Sequence, residues 1–171
     1  YDENGNKTSV RSCSSFGSDG KCMSYSRREE YTYDENGNKI YDRTCYGECT
    51  SYNYGYEYAY DANGNKTSSR TCYSYGSDGK CTSYSGIEYS YDANGKVTSE
   101  RRCQSYSSDG KCTSYSNTGN EYTYDANGNR TSMRSCKGYG SDGQCTSYSN
   151  TGSEYTYDAN GNRTSMRSCK G

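Results

Sequence analysis

The chain has 171 residues, a formal net charge of −1, 24 Tyr, 11 Cys and 20 Gly, with no Pro, Trp or His. Leu is also absent, and Val, Ile and Phe together supply five residues, which excludes a thick aliphatic core. Balanced charge leaves no electrostatic footprint for nucleic acid, and the lack of His, of a phosphate loop and of a nucleophile elbow argues against catalysis.

So little aliphatic content would by itself suggest disorder. Near-neutral charge and abundant Tyr oppose that reading, because a Tyr ring buries roughly 150–250 Å², favours strands and keeps a hydroxyl free to bond. The sequence therefore calls for a fold held by stacked Tyr, backbone ladders and disulfides.

In chain order, the first element is a Tyr-Asp dipeptide followed by Glu-Asn-Gly or Ala-Asn-Gly. It recurs at Tyr1, Tyr33, Tyr60, Tyr91, Tyr124 and Tyr157, with spacings of 32, 27, 31, 33 and 33 residues. A period of this size signals a stacked array of one supersecondary unit. We expect residues 1–171 to be a single repeat array with units starting near 1, 33, 60, 91, 124 and 157. The last unit stops short, as expected of a window from a longer tandem protein. Residues 121–138 recur letter for letter at 154–171, which leaves little room for one specialised catalytic site.

Each Asp-x-Asn-Gly run predicts a type I turn with Gly at positive φ and a G1 bulge. The Thr- and Ser-rich run after it, such as 130–136, predicts a strand. A second turn follows at the Ser-Asp-Gly sequences starting at Ser18, Ser77, Ser108 and Ser141. The next run, Cys-Thr-Ser-Tyr-Ser at 145–149, is a further strand. A stretch of variable length then leads to the alternating Glu-Tyr-x-Tyr segments at 57–60, 88–91 and 154–157, whose paired Tyr share one sheet face. The variable length marks a corner or bulge, and each unit reads as two or three short strands. Helix is disfavoured by Ser, Thr, Asn and Gly and by the lack of a 3.6-residue apolar period. The expected fold is all-β, a tandem-repeat array of short antiparallel hairpins forming a spiral or ribbon sheet. A parallel β-solenoid with about 32 residues per coil is the alternative.

Ten Cys fall into pairs, Cys13/Cys22, Cys45/Cys49, Cys72/Cys81, Cys103/Cys112 and Cys136/Cys145, with Cys169 left over. Four pairs enclose eight residues, and the second encloses three. That shortened tip keeps both Cys, which predicts that they face each other across a hairpin neck. Zinc is disfavoured because no His and no C-x2-C occur; free thiols are the remaining alternative. Disulfides imply an extracellular or cell-surface setting.

Residues 122–132, YTYDANGNRTS, resemble the YD repeat of Rhs-type proteins, bacterial wall-associated proteins and animal teneurins. The match recurs at 155–165 and less fully at Tyr31, Tyr58 and Tyr89, covering about a third of each unit. The resemblance implies antiparallel strands winding into a spiral sheet, in that family often a hollow shell around a toxin.

The sequence offers three candidate sites. Asp125, Asn127 and Asn129, and likewise Asp158, Asn160 and Asn162, place oxygen side chains at alternate positions as calcium loops do. Gly comes too early for an EF-hand and the closing Glu is missing, so the turn explains them more simply. Asn6, Asn65, Asn129 and Asn162 lie in N-x-T sequons and are candidate glycan acceptors. Tyr columns offer stacking surfaces for carbohydrate. No cofactor, no nucleic acid partner and no membrane insertion are expected. The leading functional expectation is a non-enzymatic structural protein, an extracellular Tyr-rich, disulfide-stabilised β-repeat filament, stalk or surface fibre that associates with itself end to end or laterally. The alternatives are a glycan- or cell-surface-binding segment of a larger YD-repeat protein, or part of a toxin-enclosing shell.

Overall fold

The computed structural model describes residues 1–47, 51–107, 110–140 and 142–170. These residues form antiparallel β-strands whose order in the sheet is the order of the chain. The solenoid alternative is thereby set aside. The chain divides into two compact units, 1–86 and 87–171.

The first unit holds β1 (Ser9–Phe16), β2 (Cys22–Tyr33), β3 (Lys39–Tyr46), β4 (Tyr54–Tyr60) and β5 (Lys66–Tyr75). β6 (Cys81–Tyr91) runs across the division at residue 86. The second unit continues with β7 (Val97–Tyr106), β8 (Cys112–Tyr124), β9 (Arg130–Tyr139), β10 (Cys145–Tyr157) and β11 (Arg163–Lys170).

The strands are longer than the sequence reading predicts. Cys-Thr-Ser-Tyr-Ser and Glu-Tyr-x-Tyr are not separate strands but the two halves of β6, β8 and β10. The variable segment between them is absorbed as a bulge. In β10 the register passes from Tyr148↔Cys136 to Gly152↔Arg134, so residues 149–151 leave the ladder with β9 as a bulge. In β8 it passes from Cys103↔Tyr115 to Arg101↔Gly119. A bulge takes up extra residues without ending the strand, which is why two units carrying an Asn-Thr insertion keep the same pairing beyond it.

Register repeats from unit to unit. Gly55 faces Cys72 and Glu57 faces Arg70 across β4 and β5; Gly119 faces Cys136 and Glu121 faces Arg134 across β8 and β9. The most buried side chains include Cys45, Cys72, Cys103 and Cys136, each at most 1% exposed. Within each unit the most buried positions are thus cysteines, with half-buried charge beside them. Stacked Tyr, anticipated from composition, is only part of the packing. Tyr52–Tyr75 and Tyr115–Tyr139 meet with ring centres 5.4 Å apart, at tilts of 54° and 44°. Gly55 and Gly119 make room for this, since a methyl group there would overlap the Tyr75 and Tyr139 hydroxyls.

Candidate functional site

The recurring turn is built from its own side chains. In the fifth copy Gly128 N–H donates to the Asp125 carbonyl at 3.0 Å, and Asp125 N–H to the Asn129 carbonyl at 2.9 Å. Gly128 has φ +79°, the left-handed conformation that closes a G1-bulged hairpin. The Asp125 carboxylate accepts the backbone N–H groups of Asn127 and Asn129, and the Asn129 amide, at 3.0, 2.8 and 3.1 Å. The sixth copy, Asp158, Asn160 and Asn162, repeats every one of these bonds. The Asn amide bond, then the backbone donors, hold the Asp125 and Asp158 carboxyls below the usual carboxylate range.

This geometry bears on both readings of these residues. Asn129 and Asn162 turn their amide nitrogen, not their oxygen, toward the carboxylate, so the turn hydrogen bonds account for the triad without a cation. Among the described residues no group of three or more Asp, Glu, His or Cys is arranged to hold a metal. In the sequons, the amide nitrogen that a glycan would use is bonded to Asp2, Asp61, Asp125 and Asp158 for Asn6, Asn65, Asn129 and Asn162.

The dipeptide's Tyr has a separate task. Tyr33, Tyr60, Tyr124 and Tyr157 each donate their hydroxyl to the carbonyl of the residue that follows the preceding unit's turn. The acceptors are Lys7, Lys39, Val97 and Arg130, at 3.0, 3.1, 2.8 and 2.9 Å. Tyr-Asp therefore makes a turn within its own unit and a bond to the one before.

Disulfides close the necks of the other hairpins, as expected. Cys13–Cys22, Cys72–Cys81, Cys103–Cys112 and Cys136–Cys145 are bridged with Cα separations of 5.7, 5.8, 5.8 and 5.9 Å. Such separations are those an unforced bridge takes. The Cys45/Cys49 pairing reaches outside the described residues through Cys49, as does the side chain of Cys169. The second turn copies at Ser108 and Ser141 also fall there. Where described, as at Gly76, the tip repeats the Tyr-Asp turn's bonding, with Gly76 N–H to Lys80 O at 2.8 Å and Gly79 N–H to Gly76 O at 3.0 Å.

The contact that joins three successive strands was not anticipated. Glu57 on β4 accepts a hydrogen bond from Arg70 on β5 at 2.9 Å and from the Tyr84 hydroxyl on β6 at 2.8 Å. The Arg70 guanidinium lies 5.0 Å from the centre of the Tyr84 ring. The same trio recurs three times. Glu30 takes Arg43 at 3.1 Å and Tyr52 at 2.5 Å. Glu88 takes Tyr115 at 2.6 Å, with Arg101 3.7 Å away. Glu121 faces Arg134 and accepts from Tyr148. Arg43, Arg101 and Arg134 lie 4.0, 5.1 and 3.6 Å from the ring centres of Tyr52, Tyr115 and Tyr148.

Each member needs its chemistry. The carboxylate needs two donors to leave water, the planar guanidinium both pairs with it and covers the ring, and only a phenol supplies ring and donor together. A hydrogen bond to a charged group contributes about 1.5–3 kcal/mol, and the cation over the ring about 0.5–2 kcal/mol. Burial, then the bond to Glu88, pushes the Tyr115 phenol up to about 12. Tyr122, bonded to Glu100, is pushed up to about 12 for the same two reasons. Burial alone would raise Glu30, but the Tyr52 hydroxyl and the charges of Arg28 and Arg43 outweigh it and hold the carboxyl low.

The trio does have a sequence signal. Glu precedes Arg by 13 residues at Glu30, Glu57, Glu88, Glu121 and Glu154, and Tyr follows Arg by 14 at Arg70, Arg101 and Arg134. After Arg43 the interval shrinks to nine, because that hairpin tip has lost five residues.

No family model and no curated protein matches this chain. Among solved structures it is similar to a chain of the Photorhabdus luminescens Tc holotoxin pore carrying a TccC3 substitution, at 19% identity and a TM-score of 0.45. It is likewise similar to a chain in the crystal structure of TcdB2-TccC3-TEV, at 18% identity and a TM-score of 0.45. In each case the likeness covers 95% of this chain and 9% of the other, so the chain spans less than a tenth of their length.

Proposed function

We propose that the chain is a structural protein, a disulfide-stapled β-repeat array that serves as an extracellular filament, stalk or surface fibre and carries no catalytic site. The observation that supports this is the Glu–Arg–Tyr trio. Glu comes from one unit and both Arg and Tyr come from the next, so every unit presents on one side what its successor completes on the other. Such a contact is heterologous, and heterologous contacts that do not close extend into open arrays. A further copy of the same unit, in the same chain or in another, is therefore the expected partner. The four disulfides among the described residues support an oxidising compartment.

Glycan recognition is the weaker reading. Sugars stack on exposed ring faces, whereas Tyr56 and Tyr58 lie nearly parallel, 14° apart, with their faces turned toward each other. Arg and Lys groups cover other rings, as Arg70 covers Tyr84 and Lys66 covers Tyr58. Electron micrographs of the native material test the proposal. Fibres of uniform width whose length grows with repeat number are expected, and closed shells or globular heads would overturn it.

A further inference from the structure

Tyr46 and Tyr54 flank the neck of the β3–β4 hairpin, the one whose tip is shortened. Their rings are 6.5 Å apart at 48°, and their hydroxyl oxygens lie 3.5 Å from each other. Tyr46 is 51% exposed and closes β3, while Tyr54 opens β4 opposite Thr44. We propose that Tyr46 and Tyr54 form an oxidative cross-linking site, joined as dityrosine when the protein meets a haem peroxidase and hydrogen peroxide.

The geometry favours this pair over the two whose ring centres are closest. One-electron oxidation of a phenol places spin on the carbons beside its oxygen, and here those carbons flank oxygens already in contact. Tyr52–Tyr75 and Tyr115–Tyr139 have closer ring centres, at 5.4 Å, but they are poorly placed to meet an enzyme. The Tyr75 and Tyr139 hydroxyls are covered against Gly55 and Gly119, and Tyr52 and Tyr115 are bound to Glu30 and Glu88. Tyr54 is also prepared for proton loss, because the hydroxyls of Tyr46 and then Thr44 hold its phenol below the usual value.

The chemistry balances. Each Tyr gives one electron and one proton to the peroxidase cycle, and one hydrogen peroxide takes up both pairs to become two waters. The two phenoxyl radicals join through ring carbons next to oxygen. Each joined carbon then passes its hydrogen, as a proton, to its own ring's oxygen, restoring two phenols linked by a carbon–carbon bond. The result is a staple across the β3–β4 neck that thiol reductants cannot open.

The test treats the 171-residue chain at low concentration with a haem peroxidase and hydrogen peroxide, then reduces it and cleaves after Glu48 and Glu57. Dityrosine fluorescence is expected in material of monomer mass, together with a peptide pair joining Tyr46 to Tyr54 that is lighter by two hydrogens. Tyr46→Phe and Tyr54→Phe should each abolish that pair, while Tyr73→Phe, which alters an exposed Tyr elsewhere, should leave it. Far-UV circular dichroism checks that each variant keeps its strands, and the wild-type peptide map decides the matter if one does not. Dityrosine mapping instead to Tyr52–Tyr75 or Tyr115–Tyr139, arising mainly between chains, or persisting in Tyr46→Phe would overturn the proposal.

Discussion

Glu57 with Arg70, and Glu154 with Arg167, are the same residue types 13 apart and directly opposite across antiparallel strands. Yet the first pair meets at 2.9 Å with side chains 15% and 19% exposed, and the second at 3.9 Å with side chains 59% and 78% exposed. The difference is the third strand. β6 brings Tyr84 over Arg70 and its hydroxyl onto Glu57, whereas among the described residues β11 pairs only with β10. A solvated ion pair contributes about 0–1 kcal/mol. Tyr84 turns the same kind of pair into a half-buried group whose carboxylate has two donors, so the stabilising contact joins Glu57 of one unit to Arg70 and Tyr84 of the next.

The harshest way to break this comparison is to remove the staples that hold the hairpins for either contact. Full reduction should cost about 2–3 kcal/mol for each loop of about ten residues in the chain-entropy account. With four such bridges among the described residues and a thin core, the chain should melt or become protease-sensitive at ambient temperature. Unchanged melting after reduction would mean that ladders and Tyr packing suffice. Non-reducing peptide maps should meanwhile link each Cys pair within its own hairpin.

Next in size is the contrast itself. Arg70→Ala strands the half-buried Glu57 carboxylate beside a phenol and should cost about 2–3 kcal/mol in denaturant melts, below the full cost of an uncompensated buried charge. Arg167→Ala should cost under about 1 kcal/mol, as an exposed pair does. Equal losses would remove the distinction between the two sites.

Alkaline pH sharpens it further. Tyr115 and Tyr122 hold their protons up to about 12 in the folded chain, whereas an unfolded phenol releases its proton near the ordinary value of 10.0. The folded state therefore binds more protons across that interval. Its stability should be whole below pH 10.0, fall as pH rises, and lose this contribution on passing about 12. Absorbance titration of phenolate against circular dichroism checks this, and phenols titrating freely near 10.0 with the fold intact would count against it.

The smallest effect belongs to the turns. The Asp125 and Asp158 carboxyls sit below their ordinary range, so their contribution is present above that range and disappears as pH falls through the folded value. Asp125→Ala should loosen one hairpin tip, raising hydrogen exchange at the Asn127 and Asn129 amides with little change in global melting.

Local signals made the turns legible, since Asp-x-Asn-Gly states its own geometry and paired Cys around a turn state theirs. Strand length was less legible. Cys145 to Tyr157 reads as two pieces because Ser149-Asn150-Thr151 breaks the alternation, and only pairing to β9 shows that the break is a bulge within one strand. The Glu–Arg–Tyr trio was hidden because its members lie far apart in sequence. Tyr84 stands 27 residues beyond Glu57, outside any window in which periodicity or turn chemistry is read. The Arg residues look like solvated charge until the next strand covers them. Tyr was expected to stack as the packing material, but the most buried side chains are mainly cysteines, and the rings are interleaved with guanidinium and carboxylate more than stacked on one another.

The most direct test of the account is a double-mutant cycle between Glu57 and Tyr84, with Glu57→Gln, Tyr84→Phe and the pair measured by denaturant unfolding. If the junction of units carries stability through this bond, the cycle should return a coupling of about 1–2 kcal/mol. Losses that simply add, with no coupling, would contradict it.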